Sequence, residues 1–216
     1  MATHVANPAA TQDYFSVLEL PRKLNIDISA LEKSFYARSR KLHPDLFARA
    51  SKEEQQWSEE QSSRLNDAYR TLKDPIKRTE YLLKLEGVEL EEQSKAATEQ
   101  ARATGGQKKQ VVPPALLEKV FELNMQLEEM RMGKKVGERD EQLVKDLDNQ
   151  KQKLETDFEA LTDELKTYWH QWDKLIDAEN IPEENRKQVR DKMVDLLNRR
   201  NYYRNLVRDV NEALEN

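Results

Sequence analysis

The chain has 216 residues, 36% of them charged and 37% hydrophobic, with five glycines, no cysteine and a net charge of −5. The absence of cysteine excludes disulfides, cysteine nucleophiles and zinc ribbons held by this chain alone. The acidic balance argues against nonspecific nucleic-acid binding, and no apolar run approaches the roughly 20 residues that a bilayer span needs. A charge-rich, glycine-poor composition predicts an all-α fold of long helices with narrow apolar seams. His4, His43 and His170 lie far apart without metal-ligand spacing, so neither a metal nor a cofactor is expected. Residues 1–12 carry neither a secretory apolar segment nor an Arg-rich face and read as a disordered tail, which makes a soluble cytoplasmic protein the expectation.

A first domain is predicted over residues 13–92. Asp13 can cap a short helix that runs to Leu20 and stops at Pro21. Ser29 with Glu32 has the spacing of a capping box for a second helix, which Pro44 ends. Ser51 with Glu54 repeats the pattern and opens a third helix through about Lys73, carrying Trp57, Leu65, Ala68, Tyr69 and Leu72. Pro75 suits the first turn of a fourth, short helix, and Gly87 ends it. Residues 93–112 lose all apolar periodicity and read as a linker.

The second domain is predicted over residues 113–216. Leu116, Val120, Leu123, Leu127 and Met130 alternate steps of four and three, a heptad seam. Gly133 and Gly137 are expected to bracket a turn. A second helix carries Leu143, Leu147, Leu154, Phe158, Leu161, Leu165, Trp169, Trp172 and Ile176, a rod of roughly 50 Å or more at 1.5 Å per residue. Residues 178–182 break it. A third carries Val189, Met193, Leu196, Tyr203, Val207, Val210 and Leu214. Three seams joined by short turns imply an antiparallel three-helix bundle, with Trp169 and Trp172 as bundle core and not a ligand box.

The functional signal begins at His43-Pro44-Asp45, in the loop after a helix rich in basic residues. From Lys33 to Arg49 there are five basic side chains, Lys33, Arg38, Arg40, Lys41 and Arg49, against one acidic one, Asp45. A basic patch on an acidic protein suggests docking on an acidic surface. By itself such a tripeptide arises by chance in on the order of one chain in a hundred, and it also reads as a plain helix terminator. Its flanks change that reading. Asp13-Tyr14-Phe15-x-Val17-Leu18 precedes it, and Leu65-Asn66-Asp67-Ala68-Tyr69-x-x-Leu72-x-Asp74-Pro75, then Arg78, follows. This order resembles the J-domain of DnaJ-type co-chaperones across the whole first domain. The resemblance implies a helical hairpin with the tripeptide at its tip. Its implied partner is a DnaK-type ATPase chaperone, docked by His43, Pro44, Asp45, Lys33, Arg38, Arg40 and Lys41. Asp45 can accept charge-assisted hydrogen bonds from a partner arginine, whereas a hydrolytic His/Asp pair lacks any accompanying nucleophile or metal.

A second apolar stripe runs along the first bundle helix. With Leu116 at zero on a helical wheel, its seam falls within about 40°, whereas Leu117, Phe121 and Met125 fall near 100, 140 and 180°. On the last helix Tyr202 likewise lies off the seam. These residues either fill an internal groove or form a partner surface. Tyr81-Leu82-Leu83 departs from the usual J-domain ending, and together with the bundle this looks like the HscB family of iron–sulfur co-chaperones. That resemblance implies an IscU-like cluster scaffold bound by the bundle and delivered to an HscA-type chaperone whose ATPase is stimulated. On it, Leu117, Phe121 and Glu122 occupy matching apolar and acidic positions, Met125 continues the stripe and Tyr202 matches an aromatic of the last helix. The segment departs from the family pattern at Glu118 and Asn124-Met125. Lacking the cysteine motif that some eukaryotic members carry near the N-terminus, the chain is expected to be of bacterial type. Two other readings remain open: a J-protein for general unfolded clients, disfavoured by the lack of a Gly/Phe-rich segment and zinc-binding cysteines, and a helical adaptor with a fortuitous tripeptide. An enzyme is not expected.

Overall fold

Local chemistry at the helix ends sets the element boundaries. The computed structural model describes residues 12–88, 90, 116–137, 140–178 and 182–215. The proposed tail and the 93–112 linker therefore fall outside the described residues, Gln12 excepted, as does the middle of the predicted break at 178–182. Helix α1 spans Tyr14–Val17, and the Asp13 carboxylate accepts from the Ser16 N–H at its start. It ends three residues earlier than its pattern predicts. Glu19 turns into the left-handed region with φ 55°, and the Leu20 N–H reaches back to Phe15 O at 2.9 Å, a Schellman ending without glycine. Its carboxylate pairs with Arg38.

Helix α2, Ile28–Leu42, starts one residue before the predicted Ser29 cap. Asp27 is the cap, accepting from the Ser29 N–H at 2.8 Å. The predicted capping box does not form, because Glu32 is engaged elsewhere: it accepts from Lys73 Nζ at 3.1 Å and from the Tyr69 hydroxyl at 3.2 Å. A single 3-10 turn, Pro44–Phe47, follows. The Ser51–Glu54 capping box at the start of α3, Lys52–Lys73, is complete, with both reciprocal hydrogen bonds present. Asp74 caps α4, Pro75–Leu85, which carries Pro75 in its first turn and ends through Gly87 at φ 76°.

The cap bonds make folding stability pH-dependent. Burial opposes ionisation of Asp13, but the Ser16 N–H and Arg22 outweigh it and hold the carboxyl below its ordinary value of 3.8. The Ser51 N–H holds Glu54 below its ordinary 4.5. With folded values below unfolded ones, the unfolded chain binds more protons as the medium acidifies. The stabilisation is present above about pH 5 and is lost as pH falls through the folded values. Urea unfolding should show a midpoint that drops between pH 5 and 3, and Asp13→Asn should flatten that dependence.

Three long helices follow: α5 over Leu117–Val136, α6 over Glu141–Asp177 and α7 over Glu183–Glu215. The 37 residues of α6 make a rod of about 55 Å. Gly133 is not part of a turn. Helix α5 runs through it to Val136, and Gly137 alone, at φ 76°, supplies the left-handed residue that ends it. One such residue is sufficient to close the last carbonyls.

Packing divides the chain into two units: Met1–Val88 with Trp169–Arg186, and Glu89–Tyr168 with Lys187–Asn216. In the first, Phe15, Leu18, Leu24, Leu31, Leu65, Ala68, Leu72, Leu82 and Leu83 form the core. Tyr81 stacks on Tyr14 with ring centroids 4.4 Å apart, and its hydroxyl accepts from the Tyr14 N–H at 2.9 Å. The end of α6 and the start of α7 belong to this unit through specific bonds. Asp173 accepts from the N–H groups of Leu24 and Asn25 at 2.7 and 2.8 Å, and from Asn25 Nδ2 at 2.8 Å. Trp172 is fully buried and donates its indole N–H to Arg22 O. Arg186 lies over the Trp172 ring, 5.2 Å from its centroid, and pairs with Glu86. Trp172 is thus core of the first unit, which sequence periodicity along α6 does not reveal.

In the second unit the heptad seam of Leu116, Val120, Leu123, Leu127 and Met130 is buried throughout. Cross-helix bonds define the direction of each helix. Lys119 meets Asp157 and Gln126 meets Gln150, so α5 and α6 run antiparallel. Tyr203 donates to Asp157 and Arg200 to Thr162, so α6 and α7 do as well. The fold is all-α, with an antiparallel three-helix bundle as expected.

Candidate docking surfaces

The turn that carries His43-Pro44-Asp45 is braced from all sides. The last carbonyl of α2, at Leu42, would otherwise be an orphan; it accepts from the hydroxyls of Ser58 and Ser62 on α3 at 2.7 and 2.8 Å. Leu46 N–H donates to His43 O at 2.9 Å, and Gln55 Nε2 donates to Ala48 O and Ala50 O. The Asp45 N–H donates to His43 Nδ1 at 3.3 Å. The Asp45 carboxylate lies 3.4 Å from the same nitrogen, a contact that is an ion pair only with a protonated ring. His43, Pro44 and Asp45 are all exposed, and the Asp45 side chain is 89% accessible. A carboxylate is thus held on a braced backbone with no Lys or Arg partner among the described residues, which is the arrangement an external cation needs.

The basic side chains of α2 separate into two sets. Lys33, Arg38 and Lys41 line an open groove of about 580 Å³ whose floor includes Leu18, Leu20, Ala37 and Leu42. Arg38 is partly engaged by Glu19, so it is anchored in the groove wall. Arg40 is exposed and is not among the residues lining the groove. Beside the tripeptide stand two apolar groups that sequence reading did not assign to the site. Leu46 is exposed, and Trp57 packs edge-on against Phe47 with centroids 5.9 Å apart. Their only sequence signal is position: immediately after Asp45, and in the first turns of α3.

On α5, Leu117, Phe121 and Met125 face solvent, as does Glu122. They do not fill a groove within the bundle. Tyr202 on α7 is half-buried, and burial, followed by the Asp209 carboxylate, pushes its phenol up. Lys119 and Tyr203 share Asp157, and Lys134 Nζ donates to Ala213 O; since α5 and α7 both run antiparallel to α6, these bonds set Tyr202 between about the heights of Glu118 and Leu123. The structure brings Leu117, Phe121, Glu122 and Met125 together on one helix face and places Tyr202 level with them. Met132 and Val136, further along α5, are exposed too; continuing the helical wheel past Met125 would have found them.

Similarity to known proteins includes the segment that carries the tripeptide. The DnaJ domain family model matches residues 13–81. A co-chaperone protein HscB homolog of Vibrio cholerae is 44% identical over 78 residues, covering 36% of this chain and 46% of the relative. The human iron-sulfur cluster co-chaperone protein HscB is 40% identical over 87 residues, covering 40% of this chain and 37% of the relative. The chain thus spans less than half the length of these curated relatives. The crystal structure of human co-chaperone protein HscB matches 96% of this chain and 83% of its own with a TM-score of 0.60 at 23% identity. The chaperone HscB from Vibrio cholerae matches 93% of this chain with a TM-score of 0.52 at 24% identity. At such identities the structural likeness concerns the fold alone. With a DnaJ domain match that includes the tripeptide on its braced tip, relatives of HscB type and the HscB fold over nearly the whole length, the chain carries a DnaJ domain at residues 13–81 and is similar to HscB-type co-chaperones.

Proposed function

We propose that this protein is a co-chaperone of iron–sulfur cluster assembly, which binds an IscU-like scaffold on its bundle and presents it to an HscA/DnaK-type chaperone, stimulating that chaperone's ATPase without catalysing a reaction itself. The observation that carries the reading is the pairing of two exposed surfaces of different chemistry on one chain: an 89% accessible carboxylate with a basic groove on the first unit, and an apolar stripe on the second. Asp45 accepts a hydrogen bond from a cation of the chaperone, while Lys33, Arg38, Arg40 and Lys41 supply the complementary charge that speeds encounter with an acidic surface. Leu117, Phe121, Met125 and Tyr202 supply the buried contact area of the scaffold complex, and Glu122 its polar edge.

The cargo half is tested by replacing Leu117, Phe121 and Tyr202 together with alanine. Hot-spot truncations of large apolar groups typically cost about 2 kcal/mol each, so calorimetry should show scaffold binding weakened by at least 100-fold with helicity unchanged by circular dichroism. Binding at wild-type strength would refute this assignment. A pull-down from the source organism's lysate distinguishes the cargo classes: recovery of an IscU-like scaffold supports the reading, and a mixture of unfolded chains supports a general J-protein instead.

A further inference from the structure

The outward stripe of α5 is longer than its N-terminal half. Leu117, Phe121, Met125, Met132 and Val136 are each more than half exposed, from 53% at Leu117 to 71% at Val136. With Leu117 at zero, the other four fall near 40, 80, 60 and 100° on the helical wheel, a single stripe opposite the buried seam. From Leu117 to Val136 this face extends roughly 29 Å. Five large apolar side chains in a row on one solvent-facing helix exceed the scattered exposure expected of an ordinary surface.

The charges beside the stripe are not evenly distributed: the exposed basic residues Lys135 and Arg131 fall near 0 and 320°, and the acidic ones lie on the other side. Glu118, Glu122 and Glu129 are all exposed and fall near 100, 140 and 120° on the same wheel, along one edge of the stripe. Glu128, within the stripe, is joined to Arg131 at 2.7 Å, which draws that arginine toward its own helix. The acidic edge also excludes one occupant. A two-fold antiparallel pairing of α5 with a second copy sets each flank against itself, so Glu118, Glu122 and Glu129 would face the same carboxylates of the other chain. Like charges across such an interface are unfavourable. The occupant complementary to this edge is an apolar strip bordered by basic side chains along one side.

We propose that the scaffold-binding face on α5 continues beyond Met125 through Met132 to Val136, with Glu129 extending its acidic edge, and that it takes an apolar, basic-edged strip of the scaffold. This proposal rests on the reading of α5 as the scaffold surface. Because the chain contains no cysteine, Val136→Cys and, separately, Met132→Cys each create a unique labelling site. The probe is a purified IscU-type scaffold. At saturating scaffold, maleimide labelling of either cysteine should slow by at least fivefold, and Met132→Gln/Val136→Gln should weaken binding by about tenfold in calorimetry. Both positions are exposed, so circular dichroism should show unchanged helicity. Phe121→Ala is the internal reference. If Phe121→Ala weakens binding while the double variant binds like wild type and both cysteines label at full rate, the extension is wrong and the scaffold reading stands. If Phe121→Ala is also without effect, the scaffold reading of α5 fails and takes the extension with it. Slowed labelling together with weakened binding supports the proposal.

Discussion

Asp45→Asn is expected to abolish stimulation of the chaperone ATPase while leaving the fold and scaffold binding intact. The bonds that brace the tip come from backbone groups, His43, Gln55, Ser58 and Ser62, and none of them uses the Asp45 carboxylate. Asparagine preserves the size of the side chain and the backbone N–H that donates to His43. What it removes is the charge. A hydrogen bond between ionised partners contributes about 1.5–3 kcal/mol, so stimulation at sub-saturating co-chaperone should fall roughly 10- to 150-fold, to near the basal rate. Single-turnover ATP hydrolysis with and without the co-chaperone measures this directly. Thermal unfolding provides the control, and the variant should melt with the wild type. Undiminished stimulation would remove the J-domain mechanism from this protein.

Trp172→Ala should give the largest loss of stability, and it should fall on the unit that holds the tripeptide. The indole is fully buried, donates to Arg22 O and lies beneath Arg186. Truncating a buried tryptophan typically costs about 3–5 kcal/mol, a large share of the roughly 5–15 kcal/mol that holds a domain folded. Asp173→Ala should cost about 2–3 kcal/mol, because it strips the N–H groups of Leu24 and Asn25 of their acceptor in the turn that leads into α2. The connection to function is indirect: both changes loosen the segment before α2, so ATPase stimulation should fail at a lower temperature than in the wild type. The same contacts predict that a fragment ending at residue 92, which lacks Trp169–Arg186, is markedly less stable than that unit in the full chain. Urea denaturation of the variants and the fragment, followed by circular dichroism, tests both statements. A fragment as stable as the intact unit would show that segment 169–186 is dispensable.

Much of this protein was legible because its signals are local. The helix periodicities, the Ser51–Glu54 box, Asp13, Pro75 and Gly87 act within a few residues, and the structure has them where the sequence puts them. The heptad of α5 identified its buried seam, and the same wheel identified the residues left outside it. The errors share a physical origin. Ser29 and Glu32 had the right spacing for a capping box, but Asp27 was one step closer to the helix start and Lys73, 41 residues away, claimed the carboxylate. Gly133 looked like a turn because glycine permits one, although it does not require one. Trp172 followed the α6 seam in every local respect, yet its partners are Arg22 and Arg186.

The sequence by itself determined the helices, the order of the motifs and the identity of the tip tripeptide, since caps, periodicity and proline act through neighbouring atoms. Only the tertiary structure decided that Asp45 meets no Lys or Arg among the described residues, that Leu46 and Trp57 flank it, that residues 169–186 complete the first unit and that five apolar side chains of α5 are exposed. Each of these is a statement about which distant group occupies a given space, and that is set by packing between elements and not by the pattern along any one of them.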